Sequence, residues 1–146
     1  MLRKITLITV MVLLTALPTL AESVPPAPLP KGTTVAHVDA SIPQNFTQFL
    51  GIWRGSDDKG GRFAFAVVNM NAKGEVACIY AWSVGEIGNT GPVYGIIKDG
   101  VLLVPSPYGP NNNARLEVRL NANAMDLAYI AGKNFEQHIP LKKSKS

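Results

Sequence analysis

The chain has 146 residues and a formal net charge of +4, from 14 basic and 10 acidic side chains. Arg3 and Lys4 stand at the N-terminus and Lys142, Lys143 and Lys145 at the C-terminus, so the body from Glu22 to Leu141 holds 9 basic against 10 acidic groups. That balance excludes a nucleic-acid surface, which needs clustered Lys and Arg on a folded face; the single cysteine, Cys78, excludes an internal disulfide and leaves stability to the hydrophobic core.

In chain order, Arg3 and Lys4 precede an apolar run from Ile5 to Leu20 that ends in Thr19-Leu20-Ala21. A charged start, a short apolar stretch broken by Pro18 and small residues before Glu22 predict a signal peptide over 1–21, removed in an exported protein, periplasmic or secreted. No later apolar run is long enough to cross a bilayer as a helix, so no transmembrane segment is expected after cleavage. Residues 22–43 read as a Pro-rich linker or arm. Val24 to Pro30, VPPAPLP, carries too many prolines for a helix or an inner strand, and 31–44 reads as a loosely packed arm.

From Gln44 to Leu141 short apolar or alternating runs recur between turn signals. The expected strands are Phe49 to Arg54, Arg62 to Met70, Glu75 to Val84, Val93 to Lys98, Val101 to Val104, Ala114 to Leu120, Met125 to Ala131 and Asn134 to Leu141. Asp99-Gly100 is the strongest hairpin signal, because both residues tolerate positive φ. About eight strands and no convincing helix predict an all-β fold, a compact antiparallel barrel or a sandwich over 44–141, followed by a basic tail over 142–146.

Leu116, Val118 and Leu120 alternate with Arg115, Glu117 and Arg119, so one face of that strand is wet. The second and third strands differ. Phe63, Phe65 and Val67 back onto Ala64, Ala66 and Val68; Val76, Cys78, Tyr80 and Trp82 back onto Ala77, Ile79 and Ala81. Both faces being apolar, the outer one is either covered, by the 31–44 arm, a partner subunit or a ligand, or is simply an alanine-rich outside over plain core packing. Cys78, mid-strand among large apolar residues, is expected to be buried and inert.

The segment Phe49-Leu-Gly-Ile-Trp-Arg-Gly55 resembles the first-strand signature of lipocalin-like barrels, the calycins, and Tyr80-Ala81-Trp82 followed by short hairpins is similar to small exported bacterial domains of that kind. The resemblance covers roughly 42–142. It implies that Gly51 permits tight chain passage and that Trp53 plugs the closed end of a barrel. The chain has no helix signal before its last strand and no arginine near its end to stack on Trp53; Lys133 or Lys142 would stand in. The domain is short for a lipocalin, so its interior is expected to be filled by side chains such as Phe63, Phe65, Tyr80, Trp82, Leu116, Leu127, Tyr129 and Phe135. Avidins share Gly-x-Trp, but their ligand site needs more tryptophans than the 2 present. Bacterial metalloprotease inhibitors are similar in size and carry an N-terminal arm, which 22–43 resembles, but they also carry a disulfide that one cysteine cannot make.

Chemistry is sparse. His37 and His138 are the only histidines and have no ligand spacing, so neither a metal nor any other cofactor is expected. Asp57-Asp58 sits in a Gly-bounded turn, which reads as solvated; a weak calcium contact is the sharper alternative. No nucleophile elbow or phosphate loop is present, and catalysis is not expected. The segments Gly85 to Gly91 and Ser106 to Asn113 read as long loops suited to recognition, with Tyr108 between two prolines as a rigid aromatic platform. The resulting expectation is a non-catalytic, lipocalin-like binding protein for a small apolar or amphipathic ligand, held by Tyr80, Trp82, Tyr108 and Tyr129. The alternative is a protein-binding module, such as a protease inhibitor, that uses the N-terminal arm on a protein partner.

Overall fold

A computed structural model describes residues 27–105, 107–109 and 112–145. The expected signal peptide and the arm up to residue 26 lie outside that range. One helical turn, α1 (Gln44–Thr47), precedes eight strands: β1 (Gly51–Ser56), β2 (Arg62–Met70), β3 (Glu75–Val84), β4 (Ile87–Lys98), β5 (Val101–Pro105), β6 (Ala114–Asn121), β7 (Ala124–Ala131) and β8 (Phe135–Lys143). Each strand pairs antiparallel with its neighbours, and β8 returns to β1, so the sheet closes as an up-and-down barrel. Closure removes most of the free edges that make open sheets prone to aggregate. Among the described residues no helix is long and apolar enough to cross a membrane.

Strand alternation sets the core. Phe65, Leu102, Leu116, Leu127, Ile139 and Leu141 point inward and are fully buried, each contributing roughly 1.5–3 kcal/mol by leaving water. Between them they fill the middle of the barrel, as a short eight-stranded barrel requires. Phe63 and Tyr80 are buried with them, Trp82 and Tyr129 are partly exposed, and Phe135 stands at the rim with half its surface in water. The Asp99-Gly100 turn has φ of +52° and +76°, the paired positive values of the tightest hairpins.

The arm is packed more closely than its composition suggests. Ala27 and Leu29 lie against Ala64 and Ala81 on the outer face of β2 and β3, and the Arg54 guanidinium donates to the Ala27 carbonyl at 3.2 Å. The Ala36 amide donates to the Val68 carbonyl at 2.7 Å, where a bulge between Val67 and Asn69 breaks the β2–β3 register. Val38, Ile42, Phe46, Phe49 and Leu50 then pack against the core where β1 begins, which closes that end. The cover for the second apolar face is therefore the chain itself, and it includes Ala27 and Leu29 of the proline run, before residue 31.

Three boundaries differ from expectation. α1 forms a single turn where no helix was expected; its last turn leads Phe49 into the core. β4 begins at Ile87, so Gly85 to Gly91 is not a long loop: Gly85 and Glu86 form a two-residue turn, with Gly85 at φ +58°, and Ile87–Gly91 pairs with Tyr80–Val84. Gly and Asn are poor strand formers, but pairing along the whole of β3 outweighs their propensity. β8 runs through Lys143, placing Lys142 and Lys143 in the barrel wall beside Arg54 and Trp53.

Candidate functional site

The end opposite α1 is ringed by the turn 57–61, the Gly85-Glu86 turn, residues 107–109 and the turn 132–134. Here the wall is incomplete. β5 pairs with β4 only at Ile96, Ile97 and Lys98, so among the described residues Ile87 to Gly95 has a strand partner on one side alone. Pro92, which cannot donate to a ladder, is at home on such an edge. The β5–β6 segment lies beside the gap: Pro107 and Tyr108 line a small cleft, about 130 Å³, with Tyr80, Trp82, Thr90 and Gly91.

The four aromatic residues singled out from the sequence are brought to this mouth. Tyr108 has ring centroids 6.1 Å from Tyr80 and 6.0 Å from Tyr129, and Tyr129 lies 5.9 Å from Phe135, the last two contacts edge-on. Such tilted and edge-to-face spacings are those aromatic quadrupoles favour. Trp82 stands one inward position beyond Tyr80 on β3 and opposite Asn89 on β4. Its indole Nε1 is buried and has no hydrogen-bond partner among the described residues. A buried donor left without an acceptor costs about 1–3 kcal/mol. Gly91, opposite Tyr80, presents open space: a Cβ built there meets no atom within 4 Å. Gly91 and Asn89 fall in the segment Gly85 to Gly91, which the sequence marks for recognition as a loop and the structure places in β4, paired to β3.

Burial holds the Tyr80 hydroxyl well above the phenol range, with the Tyr108 and Tyr129 hydroxyls adding to the effect, and burial likewise raises Tyr108. Tyr80 and Tyr108 therefore remain neutral donors. Asp57 is occupied structurally: Oδ1 accepts from the Lys59 and Gly61 amides at 3.0 and 2.7 Å, and Oδ2 accepts from Gln137 Nε2 at 2.9 Å. It ties the β1–β2 turn to β8. Among the described residues no group of three or more His, Cys, Asp or Glu side chains is placed to hold a metal ion. His138 faces outward on β8, 2.8 Å from Asp126 and 3.0 Å from Glu136.

Trp53 lies at the arm-covered end, buried, with Nε1 donating to the Phe49 carbonyl at 2.8 Å. The cation over its ring is Lys143, at 5.2 Å from the centroid, rather than Lys133 or Lys142. The pairing explains the choice: Trp53 sits directly opposite Lys143 across β1 and β8, whereas Lys142 points to the other face.

Comparison with protein-family models, curated proteins and solved structures found no match to this chain. The site is therefore read from its own chemistry. It offers aromatic faces, one unsatisfied indole donor and a narrow gap between strands, and it presents no charged group in the cleft lining.

Proposed function

We propose that the protein is an exported, non-catalytic binding protein of the lipocalin-like kind, which takes a small amphipathic ligand at the mouth between β4 and the β5–β6 segment. The observation that carries this reading is the buried Nε1 of Trp82, without a hydrogen-bond partner among the described residues, on a side chain that lines the cleft with Tyr80, Tyr108, Pro107, Gly91, Asn89 and Thr90. A ligand with an apolar ring and one carbonyl or hydroxyl acceptor meets both features. Tyr80, Tyr108 and Tyr129 supply faces and edges for stacking, and Trp82 supplies the hydrogen bond that fixes orientation. The cleft is small and the barrel beneath it is packed, so the ligand is bound at the mouth and not swallowed.

The arm supports the alternative less well. Its described part is laid along the barrel through Ala27, Leu29 and the Ala36 amide, which makes it a structural cover.

Native mass spectrometry of the protein purified from its own source tests the proposal. A stoichiometric small-molecule adduct is expected on the wild type. It should be lost in Trp82→Phe, which removes the donor but keeps a ring, and in Gly91→Leu, which fills the open space. Because Trp82→Phe also removes an unsatisfied buried donor, its stability should be unchanged or higher by about 1 kcal/mol. A clean apo mass for the wild type, or an adduct retained by both variants, would overturn the assignment.

A further inference from the structure

The arm-covered end carries a second feature, independent of the mouth. A broad cleft of about 1000 Å³ lies over Trp53, between the β6–β7 turn and the end of β8, with Gln48, Asn121, Asn123, Lys142 and Lys143 among its lining residues. A neighbouring cleft of about 700 Å³ shares Lys143 and adds Lys145, Arg54 and the hydroxyls of Thr33 and Thr34. Among the described residues neither lining contains a carboxylate. Among the described residues the ion pairs involve only Arg115, Arg119 and His138, so Lys142, Lys143 and Lys145 have no acidic partner. The chain's body is close to neutral, yet here four cations gather without a carboxylate partner among the described residues, and a concave, one-signed surface concentrates counter-ions.

We propose that this end binds an acidic saccharide, a sugar chain bearing carboxylate or sulfate groups. The lysines match the anionic groups as point charges. Three side-chain amides, each with donors and an acceptor, match the hydroxyls between them. The surface chemistry favours a saccharide over an anionic bilayer. The lining is amide-rich and concave, and of the large exposed apolar side chains only Val35 adjoins it; Val84, Ile87, Tyr108 and Phe135 lie at the opposite end, and Tyr94 and Ile96 on the β4 face. A membrane-binding surface would set apolar residues beside its lysines.

The test is calorimetric titration of the mature protein with oligogalacturonate, with a sulfated heparin oligosaccharide, with a neutral maltooligosaccharide and with phosphatidylglycerol vesicles, with NMR amide shifts to locate the contact. At least one acidic oligosaccharide should bind and shift the amides of Gln48, Asn121 and Asn123, the neutral one should not, and affinity should fall as salt screens the lysines. The double variant Lys142→Gln/Lys145→Gln leaves Lys143 on Trp53 and should weaken binding about tenfold, the loss of roughly 1.4 kcal/mol. Lys142→Arg/Lys145→Arg should restore it, and Lys133→Gln, at the opposite end, should leave it unchanged. Equal binding by the double Gln variant, shifts confined to another face, binding to vesicles without binding to either acidic oligosaccharide, or no binding in low-salt buffer would each overturn the proposal.

Discussion

Trp53 and Lys143 illustrate how single residues fix the closed end. Gly51 has φ +129°, and a Cβ there would come within 2.5 Å of Lys143 Cε. The missing side chain is what lets the lysine cross β1 to reach the indole. Gly55 faces a harder neighbour, since its Cβ would run into the Pro140 carbonyl at the β1–β8 seam. A flexible lysine tip can move and a strand cannot, so at Gly51 the cost that remains is the backbone strain of a side chain at positive φ. Gly55→Ala should therefore lower stability by about 3 kcal/mol, through forced separation of the strands, and Gly51→Ala by about half as much. Urea midpoints measure both, and the reverse order would refute the argument. His138 gives a residue-scale prediction in pH. Its hydrogen bond to Asp126, then the Asp126 charge and the contact with Glu136, raise its pKa. A raised pKa means that the folded state holds the proton more tightly. The contribution is complete below the unfolded value, about 6.5, and is lost as pH rises through the higher folded value. Wild type should exceed His138→Gln in urea midpoint at about pH 5.5 and match it at about pH 9; the groups are exposed, so the difference is small.

At the scale of elements, the arm and β4 depart most from what their composition implies. Proline-rich chain has few donors and no helix to offer, but it can lie against small side chains. Ala64 and Ala81 provide that surface, fully buried beneath Ala27 and Leu29. Ala81→Gln should push the arm off. The Ala36 amide, protected through its bond to Val68, should then exchange freely, and the melting temperature should fall by several degrees, about 1–3 kcal/mol of lost fit. Retained protection at Ala36 would show that the arm is held from the closed end alone. Removing 22–43 would accordingly strip part of the barrel's cover, so its effect on ligand binding reports on the fold as well as on the arm. β4 pairs with β3 over its length but with β5 over three residues, and the gap left by that mismatch places Tyr108 and the open space at Gly91 at the mouth.

For the whole molecule, the deciding property is that the barrel is packed through its middle and differentiated at its two ends. With the interior filled, the surfaces that differ most are the two ends, one with an aromatic cleft and the other polar and basic. Cys78 reports on the packed centre. Burial pushes its thiol up to about 12, and the side chain is almost wholly covered. Thiolate is the reactive form, so modification by a thiol reagent at neutral pH should be slow in the native protein and should follow global unfolding through a urea titration. Rapid labelling without denaturant would mean that the centre opens locally.

The strand positions, the hairpin at Asp99-Gly100, the inward rows and the apolar outer face of β2 and β3 were legible in the sequence, because alternation and turn chemistry act over a few residues. Tyr80, Trp82, Tyr108 and Tyr129 were legible as candidates because large aromatics stand out on strands and beside prolines. What covers the alanine face was decided only in three dimensions, since Ala27 and Ala81 meet from far apart in the sequence. The same holds for the strand over Ile87 to Gly91, whose weak propensity is overruled by β3, and for Lys143, chosen over its neighbour by the parity of the β1–β8 register. The orphaned Trp82 donor and the lysine cluster over Trp53 also belong to tertiary structure alone: local sequence sets which residues are apolar or charged, and closure of the barrel decides which of them are left without partners.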